Sequence, residues 1–434
     1  MKPLFTTIFM SVVTLGSAFG QGVTMNLEEC MAYGVENGIS VQLSKLNMLN
    51  SQEDKAQATA SLFPSLSADV GLNNSWGRSI DPETNTYGTA SNLSNSYSIS
   101  AYLTLFDGLS NINTLRASKV KVEGGEFELQ NARDKKQLDV MQLYFDVLYY
   151  TESVELTSEQ LEAAEAVLEL TESQYDLGLK SDADVALAAA EVASYDLLKT
   201  QQQSTLAQSD LNLKEAMNFP FDTILHLVPQ SISGEWHNAE KFDIDGNIEV
   251  RIAQNSVKES ELNLKVAKGR YLPTLGVGAG YGTNYFKNFG SGLSTMSFGE
   301  QLKTNYGYYV GASLSIPIFS NLSVRTSVNK HKNYLTQAKL EAKDTELKIR
   351  KLAEESLTRC ESSYKEYLSA TRKTEANTIA YKAMNAKYKK GMVSLIDLQK
   401  TSTDLLIAKA AKLRAELNYL KETIIVNYYI NCKL

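Results

Sequence analysis

The chain has 434 residues, 21% of them charged, and a formal net charge of −7. That balance leaves no basic footprint for nucleic acid, and the length allows more than one ordinary core. Cys30, Cys360 and Cys432 are too few and too scattered to suggest a disulfide framework or a zinc site.

The first twenty residues read as a secretory signal peptide. Lys2 precedes the apolar run LFTTIFMSVVTLGSAFG, and Ala18 and Gly20 stand at the −3 and −1 positions before Gln21. No cysteine lies at the cut, so no lipoprotein anchor is expected. No later run of about 18 apolar residues marks a transmembrane helix.

A helical stretch is expected over 25–62, followed by two strand segments. In 66–76, Leu66, Ala68, Val70 and Leu72 share one face, with Ser67, Asp69 and Gly71 on the other. In 97–106 the apolar set is Tyr97, Ile99, Ala101, Leu103 and Leu105. A very long helix is expected next, since Asn111 to Leu177 is interrupted only by Gly124 and Gly125. As one helix it would reach roughly 100 Å, and the apolar spacing over 138–170 fits a face packed against neighbouring helices. The stretch YDLGLKSDAD (175–184) turns the chain into a returning helix. Pro220, Pro229, Gly234 and Gly246 make 218–247 a linker.

The second half repeats this order. A helix is expected over 248–268, then strands in which Leu275, Val277, Ala279 and Tyr281 oppose glycines. Val310, Ala312, Leu314 and Ile316 likewise oppose Tyr309, Gly311 and Ser313. Ser320 to Lys390 contains neither Gly nor Pro, and YKKGMVSLID (388–397) makes the second turn. Tyr175 and Tyr388 are 213 positions apart, as are Phe106 and Phe319, whereas Pro64 and Pro273 are 209 apart. Ordered anchors at nearly constant offset indicate an internal duplication. The expected divisions are therefore 1–20, signal peptide; 21–217, first repeat; 218–247, linker; and 248–434, second repeat.

Alternation of this kind also describes a soluble sheet packed on a core by one face. The second face, however, is small, polar and glycine-rich in all four segments. Each segment is about ten residues, the length of a tilted bilayer-crossing strand. Trp76, Tyr97, Tyr285, Phe286, Tyr306 and Tyr308 gather near strand ends, where an interfacial aromatic girdle would lie. Four strands are too few to close a barrel, so a barrel must be shared between chains. Two chains would give eight strands and three would give twelve; eight leave an interior filled by side chains, so a conduit favours three or more. The fold class expected is mainly α with transmembrane β.

At the two turns, Gly178 and Gly391 suit the left-handed backbone of a helix reversal. Ser181 and Ser394 can cap the returning helices, and Asp184 and Asp397 lie in the first turn, where a carboxylate completes a capping box. His226, His237 and His331 are scattered and have no partners at metal spacing. No phosphate-binding loop, dinucleotide fingerprint or nucleophile elbow occurs, so no enzyme, cofactor or metal is expected.

These features together resemble the outer-membrane factors of the TolC type. Leu27, Glu28, Glu29, Ala32, Glu36 and Asn37 match that family's N-terminal opening, while Cys30 and Gly38 depart from it. The LFPSL and YLPTL strand starts, the duplication and both glycine-centred hairpins are similar too, and NNSWGRSIDPETNTY (73–87) resembles the Bacteroidetes version. The resemblance implies a homotrimer: a twelve-stranded barrel in the outer membrane continuing into a periplasmic tunnel of long helical hairpins. It implies an exit duct of a tripartite efflux pump, with a periplasmic adaptor linking it to an inner-membrane transporter of the RND or ABC type. The alternatives are the outer-membrane channel of a type I secretion system and a non-transporting coiled-coil scaffold. It further implies adaptor docking at the tips (Tyr175, Gly178, Leu179, Ser181, Asp184, Gly391, Met392 and Ser394) and a periplasmic gate at Tyr388, Asp397 and Lys400. In the family's best-known gate a basic residue follows the turn glycine by two positions, and a second acid lies three residues past the first. Val393 and Lys400 hold those places here.

Overall fold

A computed structural model describes residues 22–80, 85, 87–230, 242–289 and 296–432. The signal peptide and His237 lie outside the described residues. The elements in chain order are β1 (Val23–Met25), α1 (Leu27–Asn37), α2 (Ile39–Ala60), β2 (Ser65–Ile80), β3 (Tyr87–Asp107), α3 (Ser110–Asp176) and α4 (Asp182–Met217). The second half continues with β4 (Leu225–Leu227), α5 (Ile248–Gly269), β5 (Thr274–Asn288), α6 (Phe298–Thr304), β6 (Gly307–Ser315), α7 (Ser323–Lys389) and α8 (Leu395–Asn431). Both long helices expected from the sequence are single elements of 67 residues each.

The chain forms two compact units, which α3 and α7 both enter. One comprises Met1–Gln42, Ala132–Asp243 and Lys351–Leu434; the other comprises Leu43–Asn131 and Ile244–Arg350. The first unit is helical except for β1 and β4, which pair in parallel with Val23 opposite Leu225. Its main core joins Leu27, Cys30, Val140, Met141, Tyr144, Phe145, Leu213 and Met217, all buried. Burial pushes the Cys30 thiol up to about 12. The Tyr144 hydroxyl donates to the Val228 carbonyl at 2.6 Å, fastening the 218–230 segment to α3. Farther along α3 the buried stripe becomes polar, through Ser153, Thr157, Gln160 and Thr171. The apolar face expected over 138–170 continues beside this polar stripe, with Val167, Leu168 and Leu170 packed against the cluster of Ala188, Tyr388, Leu395 and Leu398.

The second unit contains a four-stranded antiparallel sheet in the order β2-β3-β5-β6. Its strands are 16, 21, 15 and 9 residues long rather than uniformly about ten. The reason is that β2 and β3 stay paired out to Ile80 and Tyr87. The Ser- and Asn-rich sequence there reads as loop, because strand pairing is made by backbone groups and needs no apolar alternation. Within 78–95, residues 78–80 and 87–95 are strand, and 287–304 contains α6. No described helix is long and apolar enough to cross a membrane.

Register brings the apolar positions into rows. Leu66, Ala101, Ala279 and Val310 are successive partners across the sheet, as are Ala68, Ile99, Tyr281 and Tyr308. A bulge between Thr104 and Phe106 seats Phe106, rather than Leu105, opposite Leu275. The apolar set expected for this strand is shifted by one residue at that end. On the opposite face, Tyr102 lies over Gly276 and Tyr309 over Gly280, where any Cβ would collide with the ring.

Candidate functional site

At the first tip, α3 ends in a left-handed residue, Gly178, with φ of +73°. Its N–H donates to the Tyr175 carbonyl at 2.8 Å, and the Leu179 N–H donates to the Gln174 carbonyl at 2.8 Å. The second tip repeats this closure at Gly391, φ +72°, with bonds from Gly391 N to Tyr388 O and from Met392 N to Lys387 O. Ser181 caps α4, accepting from the Asp184 N–H at 3.3 Å, while the Asp184 carboxylate accepts from the Ser181 N–H at 3.0 Å and its hydroxyl at 2.8 Å. Those bonds from the Ser181 backbone and hydroxyl hold the Asp184 carboxyl below its ordinary range. Ser394 likewise accepts from the Asp397 N–H at 3.2 Å and donates to its carboxylate at 2.6 Å. The capping box expected at both tips is completed only by Ser181 and Asp184; at the second tip Ser394 caps α8, and the Asp397 carboxylate takes the serine hydroxyl rather than its N–H.

The two tyrosines differ. Tyr175 is 43% exposed, whereas Tyr388 is 1% exposed, packed with Ala188, Leu395 and Leu398. The Thr171 hydroxyl spends its proton on the Val167 carbonyl, at 2.7 Å. The 2.8 Å bond between Thr171 and Tyr388 is therefore donated by the Tyr388 hydroxyl. The Lys180 ammonium lies 4.9 Å from the Tyr388 ring centroid. Tyr388 is thus a clasp between the two hairpins here, not a free ring lining a pore. Asp397 and Lys400 are exposed, and no ion pair joins them among the described contacts.

Thr171 and Lys180 were not legible as partners of this site. The available signal was Lys180, which follows Gly178 by two positions and supplies the basic residue that Val393 withholds from the second turn. Polar contacts continue the clasp. Gln399 donates to the Leu187 carbonyl, Ser402 donates to Gln160, and Lys409 pairs with Glu159 at 2.9 Å. Beyond it the tips expose apolar side chains: Leu177 at 74%, Leu179 at 72% and Met392 at 70%.

The sheet exposes its apolar face, including Leu66 at 75% and Val310 at 85%. Trp76, Tyr97, Tyr285 and Tyr308 lie on this face by strand alternation, and Tyr306 stacks on Tyr281 at 6.2 Å. Phe286, next to Tyr285, takes the opposite, glycine-rich face. Tyr97 and Tyr285 are partly covered by Phe298 of α6, with centroids 6.4 and 5.1 Å apart. Exposed aromatics also occur where the strands meet helices, at Phe63, Phe106, Tyr271 and Phe319. From Leu275 to Tyr285 is roughly 33 Å of strand. At a tilt of about 40° that spans about 25 Å of depth, the height of a membrane barrel's apolar band.

The chain thus combines an open four-stranded sheet, apolar on one face, with long helices that reverse at two capped turns. The outer membrane efflux protein model matches residues 36–218 and 244–424, and the chain belongs to that family. It is 22% identical over 319 residues to the outer membrane efflux protein BepC of Brucella suis biovar 1 (strain 1330), covering 72% of this chain and 66% of BepC. It is 22% identical over 338 residues to the outer membrane protein TolC of Escherichia coli (strain K12), covering 75% of this chain and 68% of TolC. The chain thus spans about two thirds of the length of these curated relatives. The fold matches the CmeC outer membrane channel of Campylobacter jejuni with a TM-score of 0.79 at 16% identity, over 93% of this chain and 85% of that one. The chain's family is that of the outer membrane efflux proteins, and its fold is that of a solved outer-membrane channel. Its family and structural neighbours are channels, not enzymes.

Proposed function

We propose that the chain is the exit duct of a tripartite efflux pump, acting as a homotrimer. The observation that carries this is the four-stranded sheet, which exposes an apolar face and leaves β2 and β6 unpaired on their outer edges. Unpaired strand edges are not tolerated in hydrocarbon, so the β6 edge must meet the β2 edge of another copy. Three copies give a twelve-stranded barrel, wide enough to conduct, where eight strands would be filled by side chains. The periplasmic adaptor docks on the tips, where Leu179 and Met392 project from rigid capped turns. The adaptor links the duct to an inner-membrane transporter that supplies the energy. Three copies of Asp397 attract cations at the tunnel mouth, with Lys400 offsetting the field.

Reconstitution in planar bilayers tests the reading. Discrete conductance steps and a heat-modifiable oligomer band are expected; a non-conducting, unshifted protein would count against the duct. Asp397→Asn is expected to lower cation selectivity. An unchanged reversal potential would remove Asp397 from the gate and leave it as a cap. Cysteines placed at Leu179 or Met392 should crosslink to the adaptor, whereas a cysteine at Leu66 should not.

A further inference from the structure

The charges on the apolar face of the sheet have one sign and one location. Following alternation along the paired strands, Leu66 to Trp76 on β2, Leu93 to Leu103 on β3, Leu275 to Tyr285 on β5 and Tyr308 to Leu314 on β6 place no charged residue there. The charged residues that do fall on it are Lys287, opposite Leu93, and Arg78, opposite Thr89. Both lie at the end of the sheet remote from the strand–helix junctions, past the aromatic belt. Lys287 is twelve residues beyond Leu275, roughly 40 Å along the strand and about 30 Å in depth once tilted. That is the thickness of a hydrocarbon core, so the Lys287 ammonium emerges at headgroup level.

Helix α6 thickens this rim. Residues 283–288 of β5 have no β6 partner, because β6 begins pairing at Gly307 with Gly282. The buried Gln301 side chain takes the place of the missing strand. It accepts from the Phe286 N–H at 2.9 Å and donates to the Phe286 carbonyl at 2.9 Å. Thr283 donates to the Leu302 carbonyl at 2.8 Å, and Asn305 donates to the Asn284 carbonyl at 3.0 Å. Phe298 is thereby held against Tyr97 and Tyr285 on the apolar face and is still 46% exposed, beside exposed Met296. Glu300, the acid on this helix, is occupied by the Ser297 cap. The Lys287 ammonium stands 5.2 Å from the ring of exposed Phe289. Among the described residues no carboxylate pairs with Lys287 or Arg78.

We propose that this rim, where Lys287 and Arg78 stand past Phe298 at the outer end of the sheet, binds the phosphate-bearing headgroup of an outer-leaflet lipid. The aromatic and methionine side chains enter the acyl boundary and the two cationic groups neutralise phosphate, a division of labour set by depth. The proposal rests on the barrel reading above.

Full-length protein in phosphatidylcholine nanodiscs doped with diphosphoryl lipid A, or with its phosphate-free counterpart, tests it by native mass spectrometry. The wild type should retain the phosphorylated lipid at least about tenfold better, and Lys287→Gln with Arg78→Gln should bring the two lipids close to parity. Equal retention by the wild type, or an unchanged preference in the double variant, would overturn the assignment. Conductance of the same preparations separates the two levels. A conducting protein without phosphate preference sinks the lipid rim alone, and a protein that neither conducts nor oligomerises sinks the barrel and the rim with it.

Discussion

The two hairpin tips carry the same written turn, yet they are built into the molecule differently. Gly178 and Gly391 adopt nearly the same φ, and both serines cap a returning helix through their side-chain oxygen. Local sequence dictates this much, because helix reversal and capping involve only a few neighbouring residues. The tyrosine three residues before each glycine then diverges. Tyr388 is buried and donates to Thr171, whereas Tyr175 stands in solvent with Leu177 and Leu179. A duplicated motif thus yields one internal clasp and one outward surface. What separates them is the helix each faces.

The sharpest way to break this comparison is to truncate the tyrosines in turn. Tyr388→Ala removes a buried aromatic and should weaken the tip by about 3–4 kcal/mol, as core aromatic truncations do. Tyr175→Ala should stay within about 0.5 kcal/mol, the range of surface changes. Hydrogen exchange of the amides in 385–395 and 172–182 reads both. The expected result is fast exchange across both tips for Tyr388→Ala and little change for Tyr175→Ala. Tyr388→Phe isolates the hydroxyl and should cost about 1 kcal/mol. Equal effects of the two alanine variants would mean that the clasp carries no stability.

The contrast also marks where the sequence was legible. The duplication, both 67-residue helices, the apolar rows of the sheet and the two serine caps follow from periodicity and short-range spacing, and the structure has them. Burial of Tyr388 was not legible, because its partner is 217 residues away and a threonine on a helix carries no mark of its contact. The polar stripe Ser153, Thr157, Gln160 and Thr171 was hidden for the same reason: small polar side chains are buried there only because a second hairpin covers them. Gln160 is legible as buried only once Ser402 is seen to donate to it. Outside the tips, α6 was missed because seven residues are too few for a helical period, and Gln301 reads as an ordinary surface residue until it satisfies the β5 edge. Phe286 was placed in the girdle by its neighbour Tyr285, although alternation sends adjacent residues to opposite faces.

A smaller perturbation should treat the tips alike. Gly178→Ala and Gly391→Ala each force a side chain into the left-handed region, with no neighbouring atom within 4 Å of the added Cβ. Only the backbone preference is then at stake, about 1 kcal/mol in each case. Equal losses in exchange protection at the two turns are expected. A much larger loss at Gly391 would show that the Tyr388 clasp depends on turn geometry beyond the clasp contacts themselves.

The smallest effect is one of pH and concerns the first tip. The Asp184 carboxylate accepts from the Ser181 N–H and hydroxyl, and its folded pKa is depressed by those bonds. A depressed carboxylate contributes stability that is present above its unfolded pKa, about 3.9. That contribution is lost as pH falls through the lower folded value. The α4 start should therefore keep its protection at neutral pH and begin to fray only below about pH 4. Asp184→Asn keeps an acceptor oxygen but removes the charge, so protection at the 181–185 amides should become insensitive to acid over that window. Because Asp184 is exposed, solvent screens the bond and the change should be confined to the first turn of α4. Acid-induced fraying that persisted unchanged in Asp184→Asn would assign it to another group at the tip, such as Asp182, which neighbours the Tyr175 hydroxyl.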